Sequence, residues 1–119
     1  MRGEAETYIA GLIDLILLKV ISLGECYGYG ISKTISSMTE NTWEMKEATM
    51  YSGLRRLVAE KLITARWGDD ESNGGRRKYY SLTPHGEERF NIEMVKWVET
   101  KKIIDKILIW EGADEQRTN

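Results

Sequence analysis

Ala48-Thr49-Met50-Tyr51-Ser52-Gly53-Leu54-Arg55-Arg56-Leu57, followed by Gly74-Gly75-Arg76-Arg77-Lys78-Tyr79-Tyr80-Ser81-Leu82-Thr83, decides the fold. The first segment places Met50, Leu54, Leu57 and Val58 on one helical face and Thr49, Ser52 and Arg56 on the opposite one, within a helix over about 47–61. The second reads as a strand over 77–82, entered from a glycine-flanked tip that carries three consecutive cations. Ile63 to Trp67 supplies its antiparallel partner, with 68–75 as the connecting loop. A cationic helix beside a basic hairpin is suited to duplex DNA, one element in the major groove and the other on the backbone.

Working outward, Ile9, Leu12, Ile13, Ile16, Leu17, Val20 and Ile21 recur at helical spacing and predict a first helix over about 6–23, stopped by Gly24. After Gly28-Tyr29-Gly30 a second helix spans 29–38 on an Ile31, Ile35 and Met38 stripe. Thr83-Pro84 is a hydroxyl cap followed by proline at the first helical position. It opens a last helix to about Trp110, where Phe90, Met94, Trp97, Lys101, Ile104 and Leu108 follow coiled-coil spacing. The expected architecture is mainly α with a small β-hairpin. It comprises a winged helix-turn-helix over 6–83, a dimerisation helix over 84–110 and a flexible tail over 111–119. The seam of the last helix predicts a homodimer, and paired recognition helices about one DNA turn apart would read a pseudo-palindromic operator.

Composition fits one globular domain: 119 residues, 41% hydrophobic and 30% charged, with a single proline. The net charge is −2, but residues 46–78 hold eight Lys/Arg against five Asp/Glu, a local +3 on a body of −5. Phosphates respond to the local charge. Cys26 is the only cysteine and His85 the only histidine, so no disulfide, cysteine-based zinc site or catalytic constellation is expected, and no cofactor. The apolar run Ile9 to Leu23 contains Asp14, Lys19 and Ser22 and is too short for a bilayer, so a cytoplasmic protein without membrane contact is expected.

Several motifs together resemble the PadR family of transcriptional regulators over almost the whole chain. They are Ile16-Leu17-Leu18, Tyr27-Gly28-Tyr29-Gly30-Ile31, Ala48-Thr49-Met50-Tyr51, Leu54-Arg55-Arg56-Leu57 and Gly75-Arg76-Arg77-Lys78-Tyr79-Tyr80-x-Leu-Thr. The wing motif and the tryptophan midway along the last helix are most similar to the family's short-tailed, multidrug-binding repressors. The resemblance implies a dimeric repressor relieved by flat aromatic compounds held at the dimer centre between two copies of Trp97, with Asp14 and Leu15 at the rim. Met94 and Val98 are further candidates for that pocket, while Trp43, Trp67 and Trp110 read as structural. The candidate DNA contacts are Lys46, Thr49, Tyr51, Ser52, Arg55, Arg56, Arg76, Arg77 and Lys78. Four departures stand out: Gly24-Glu25 replaces the usual Gly-Pro, Ala48 the usual Gly before Thr49, Asp69, Asp70 and Glu71 put phosphate-repelling charge in the wing loop, and Lys101 sits one turn beyond Trp97 where an acidic residue would favour cations. Two other readings remain open at this level. One is a regulator whose dimer centre is filled by its own side chains, the other a winged helix used to bind protein.

Overall fold

The computed structural model describes residues 8–68 and 77–113. Its elements are a 3-10 turn Ala10–Leu12, α1 Ile13–Ser22, β1 Cys26–Tyr27, α2 Gly28–Met38, α3 Glu47–Ala59, β2 Ile63–Trp67, β3 Lys78–Leu82 and α4 Pro84–Ile109. The architecture is the expected one, mainly helical with a small antiparallel sheet. Two details differ from the sequence-based expectation. The first helix is broken by the 3-10 turn at Gly11, a residue of low helix propensity. The sheet also has three strands, in the order β1-β3-β2. Two-residue β1 carries no periodicity that a sequence could display; it exists because Cys26 and Tyr27 pair with Tyr80 and Tyr79.

The core is built on α1. Leu17 and Leu18 are sealed from solvent, as are Ile31 of α2, Leu54 and Leu57 of α3, and Leu62 and Ile63 at the start of β2. Helix α1 packs against α2, α3, α4 and β3. It approaches α3 closely because α3 has no side chain at Gly53, where a Cβ would lie 2.6 Å from Leu17 Cδ1. Val58 and Met38, expected inside, are 37% and 48% exposed.

Helix α3 ends two residues earlier than its periodicity suggests. Lys61 takes a left-handed conformation, φ 62°. Its N–H donates to Val58 O at 2.9 Å, and Leu62 N–H donates to Leu57 O at 3.0 Å. This is a Schellman stop, with buried Leu57 and Leu62 in the expected apolar pairing. The position usually holds glycine, so lysine there gives no warning in the sequence. Thr83 then caps α4: its Oγ1 accepts from Gly86 N–H at 2.9 Å, and its own N–H donates to Leu62 O at 3.1 Å. The first turn of α4 is thereby seated on the α3–β2 corner. Gly86 is the only residue that fits there, because a Cβ would fall 1.9 Å from Leu62 O.

Glu25, where the family resemblance leads one to expect proline, has a structural use. Its carboxylate accepts from Arg66 Nε at 2.9 Å and Nη2 at 2.6 Å, and from the Ser81 hydroxyl at 2.9 Å. The hydrogen bond from Arg66, then that from Ser81, lowers the Glu25 pKa. Next to it Cys26 is half-buried, and desolvation, then the Glu25 charge, raises its thiol pKa and favours the protonated form.

Toward its C-terminal end α4 is exposed to solvent. Phe90 and Met94 are half-buried, whereas Val95, Trp97, Val98, Ile103, Ile104, Ile107, Leu108 and Trp110 are exposed. Lys101 pairs with Asp105 along the helix at 2.8 Å. Replacing Lys61 with Gly removes the left-handed penalty at the Schellman position and should stabilise the fold by about 1 kcal/mol. Urea unfolding at equal m-value would read this as a higher midpoint; an unchanged or lower midpoint contradicts it.

Candidate nucleic-acid interface

Helix α3 presents its candidate residues on two flanks. On one, Thr49, Ser52 and Arg56 follow one another at three- and four-residue spacing, all exposed. Together with Lys46, just before the helix, they line a shallow hollow of about 510 Å³ whose wall includes Trp43 and Ile13. On the other flank Tyr51 and Arg55 face the wing. They share a hollow of about 520 Å³ with Tyr27, Tyr29, Trp67, Arg77, Lys78 and Tyr80. Arg55 and Arg56 are adjacent in sequence and about 100° apart around the helix, so they serve different sides.

Aromatic rings hold the wing cations in place. The Arg77 guanidinium lies 4.6 Å from the Tyr27 ring centre and Lys78 Nζ 5.5 Å from that of Trp67. Arg66 lies 5.0 Å from the Tyr79 ring, and Lys33 5.9 Å from the Tyr29 ring. Such contacts leave the charge at the surface while restricting where it points. Trp67 therefore belongs to the basic surface, 56% exposed, and not to the interior, whereas Trp43 is buried. Trp110 is exposed at the end of α4. Of the candidate wing residues, Arg76 lies outside the described residues, as do Asp69, Asp70 and Glu71 of the loop.

Tyr51 is half-buried because α2 makes room for it: a Cβ at Gly28 would meet the Tyr51 hydroxyl at 2.1 Å. That same packing brings Tyr27 and Tyr29 into the hollow. Tyr27, Tyr29, Lys33 and Trp67 are not among the site residues expected from the sequence. The Tyr-Gly-Tyr-Gly run was legible as a helix start, but only the pairing of β1 with β3 places it beside the wing.

A separate groove of about 450 Å³ runs between α1 and α4. Asp14, Leu15 and Leu18 line it from α1, and Glu93, Lys96, Trp97 and Thr100 from one face of α4. Two expected members are not in its wall: Met94 is half-buried on another side of α4, and Val98 lies a further 100° around from Trp97. The groove's charged side chains have partners. Glu93 faces Lys96 at 3.4 Å, and Arg89 approaches Glu60 at 3.9 Å. Asp14 accepts from Arg56 Nη2 at 2.5 Å and from Nε at 3.2 Å, which raises the Arg56 pKa.

The Asp14–Arg56 pair thus joins a residue expected at the ligand site to one expected at DNA. Both side chains are well exposed, 40% and 48%, so the pair contributes about 0.2–1 kcal/mol. The apolar contact of Leu17 with α3 is worth several times that, about 2–5 kcal/mol on truncation. Apolar packing therefore holds the two helices together, and the ion pair can open without separating them. Among the described residues there is no group of side chains able to hold a metal ion, and no helix long and apolar enough to cross a membrane.

The chain is 42% identical over 106 residues to an uncharacterised protein of Lysinibacillus sphaericus, covering 89% of this chain and 94% of that one. Its fold is similar to a transcriptional regulator from Clostridium thermocellum, with TM-score 0.77, 36% identity, and coverage of 84% and 93% of the two chains. It is also similar in fold to Bacillus subtilis PadR in complex with operator DNA, with TM-score 0.63 and 24% identity, covering 71% of this chain and 46% of that one. Residues 17–92 match the transcriptional regulator PadR-like family, and the chain belongs to that family.

Proposed function

We propose that this PadR-family regulator acts as a homodimeric repressor on pseudo-palindromic duplex DNA, relieved by planar hydrophobic compounds bound at the dimer centre. The observation that carries the DNA part is the shared surface of α3 and the wing, where Tyr51, Arg55, Arg77 and Lys78 converge on one hollow. The operator DNA bound by Bacillus subtilis PadR supports the same partner. Thr49 and Ser52 at the start of α3 would reach base edges or phosphates, and Lys46, Arg55, Arg77 and Lys78 would hold the backbone. Arg76 joins them as a backbone contact by its place in the sequence. Such a regulator works in the cytoplasm, beside the DNA it reads, and needs no cofactor or catalytic step.

The exposed apolar residues of α4 support a second copy as its covering partner. Their spacing suits a helix–helix seam, and the helix is long enough, about 39 Å, to offer several turns to it. In that dimer two Trp97 side chains would face one another, and two indoles can clasp a flat ring by offset stacking. Leu15 and Asp14 would form the rim, with Met94 and Val98 contributed along the seam. The likeness of the wing and of Trp97 to the short-tailed multidrug-binding repressors supports this ligand class.

Fluorescence anisotropy with duplex DNA from the protein's own upstream region, titrated at several salt concentrations, tests the central claim. Binding should weaken with salt, and Arg55→Ala should lower the log–log slope by about one phosphate contact per bound subunit. No binding at low salt would overturn the assignment. Trp97→Ala should remove quenching by a flat dye while leaving a folded dimer; retained dye affinity would remove Trp97 from the pocket. Ile104→Asp should yield monomers in sedimentation, and a variant that still sediments as a dimer refutes the seam.

A further inference from the structure

Asp14 lines the α1–α4 groove beside Trp97, and Arg56 lines the α3 hollow beside Thr49 and Ser52. Their two-point ion pair forms the partition between the two hollows. The other charged members of the groove have partners of their own: Glu93 and Lys96 pair with each other along one wall, and Arg89 has Glu60 just past the end of α3. Asp14 is the groove carboxylate whose partner stands on the DNA-facing flank of α3.

We propose that the Asp14–Arg56 ion pair is a charge exchanger between the ligand groove and the DNA surface, so that a cation in the groove strengthens DNA binding instead of releasing it. This deepens the proposed function and rests on reading the groove as a ligand site. A cation over Trp97 gains the Asp14 carboxylate only by displacing Arg56. A DNA phosphate at α3 gains the full charge of Arg56 only by displacing Asp14. Each event breaks the same pair from opposite ends, so the second binds to a protein in which that cost has been met. Linkage makes the effect reciprocal: whatever factor the cation confers on DNA, DNA confers on the cation. An uncharged planar compound leaves the pair closed and takes no part in this coupling. Relief of repression through the groove then belongs to neutral ligands, and Asp14 is the residue that reads ligand charge. Both side chains are reached by water, and the helices are held by Leu17 against Gly53, so the exchange requires no unfolding.

Two titrations of the full chain test this. In the first, upstream duplex DNA is titrated over a range of salt. Asp14→Asn frees Arg56 and should tighten binding roughly threefold, the scale of an exposed ion pair, with a log–log slope steeper by about one per bound subunit. The gain should vanish when Arg56→Ala is added. In the second, without DNA, the cationic dye proflavine and its uncharged relative acridone are titrated by tryptophan quenching. Arg56→Ala exposes Asp14 and should tighten proflavine roughly threefold while leaving acridone unchanged, and Asp14→Asn in that background should abolish the gain. An Asp14→Asn protein with unaltered DNA affinity and slope overturns the exchanger while leaving the ligand site standing. Equal effects of Arg56→Ala on both dyes overturn it as well. Failure of both dyes to bind any variant removes the ligand site, and the coupling with it.

Discussion

The close contact of α1 with α3 is the constraint on which the rest depends. Gly53 leaves a gap on α3 that the Leu17 side chain fills, and Ile13 lies alongside at 3.4 Å from the same point. With Leu17, Leu54 and Leu57 sealed from water, the apolar face of α3 is fixed against α1. The opposite face, with Thr49, Ser52 and Arg56, is then turned toward solvent. The outward position of Thr49, Ser52 and Arg56 is thus a consequence of core packing, independent of any DNA contact. The same apposition brings Asp14 within reach of Arg56, so one ion pair joins the α1–α4 groove to the hollow along α3.

A second consequence concerns the wing. Strand β3 is central in the sheet, paired with β2 along its length and with β1 at its first residues. Glu25, just before β1, accepts from Arg66 of β2 and Ser81 of β3 and so ties the three strands together. The hairpin is therefore anchored at its base, and Arg77 and Lys78 emerge from a rigid strand start. The Tyr27 ring of β1 and the Trp67 ring of β2 restrict those cations further, which reduces the conformational entropy lost when a phosphate is bound.

Helix α4 behaves in two parts. Its first turn is locked by Thr83, Pro84 and Gly86 onto the α3–β2 corner, and Phe90 and Met94 continue the contact. Past that, Trp97 lines the groove with α1, while Val95, Ile103, Ile107 and Leu108 are exposed to solvent. The groove beside Trp97 has one wall from α1 and one from this helix, so movement of α4 against α1 would alter the groove.

Much of this was legible in the sequence. The period of Ile13, Leu17, Val20 and Ile21 determined α1, the opposed faces of residues 48–57 determined α3, and Thr83-Pro84 determined the start of α4. These are local rules of spacing and capping, so one strand of residues suffices to read them. The left-handed stop at Lys61, the two-residue strand β1 and the exposure of Trp67 were not legible. The stop at Lys61 is local but has no glycine to mark it, whereas the other two arise from partners further along the chain: Tyr79 and Tyr80 opposite β1, and Lys78 over the indole. The same holds for the site. The sequence by itself determined which residues carry charge and hydroxyl groups, and on which helical face each lies. Only the tertiary structure decided that Arg55 and Arg56 serve different surfaces and that Arg56 is shared with Asp14. A helical period fixes directions around one axis, whereas an ion pair between residues 42 positions apart depends on how two axes cross.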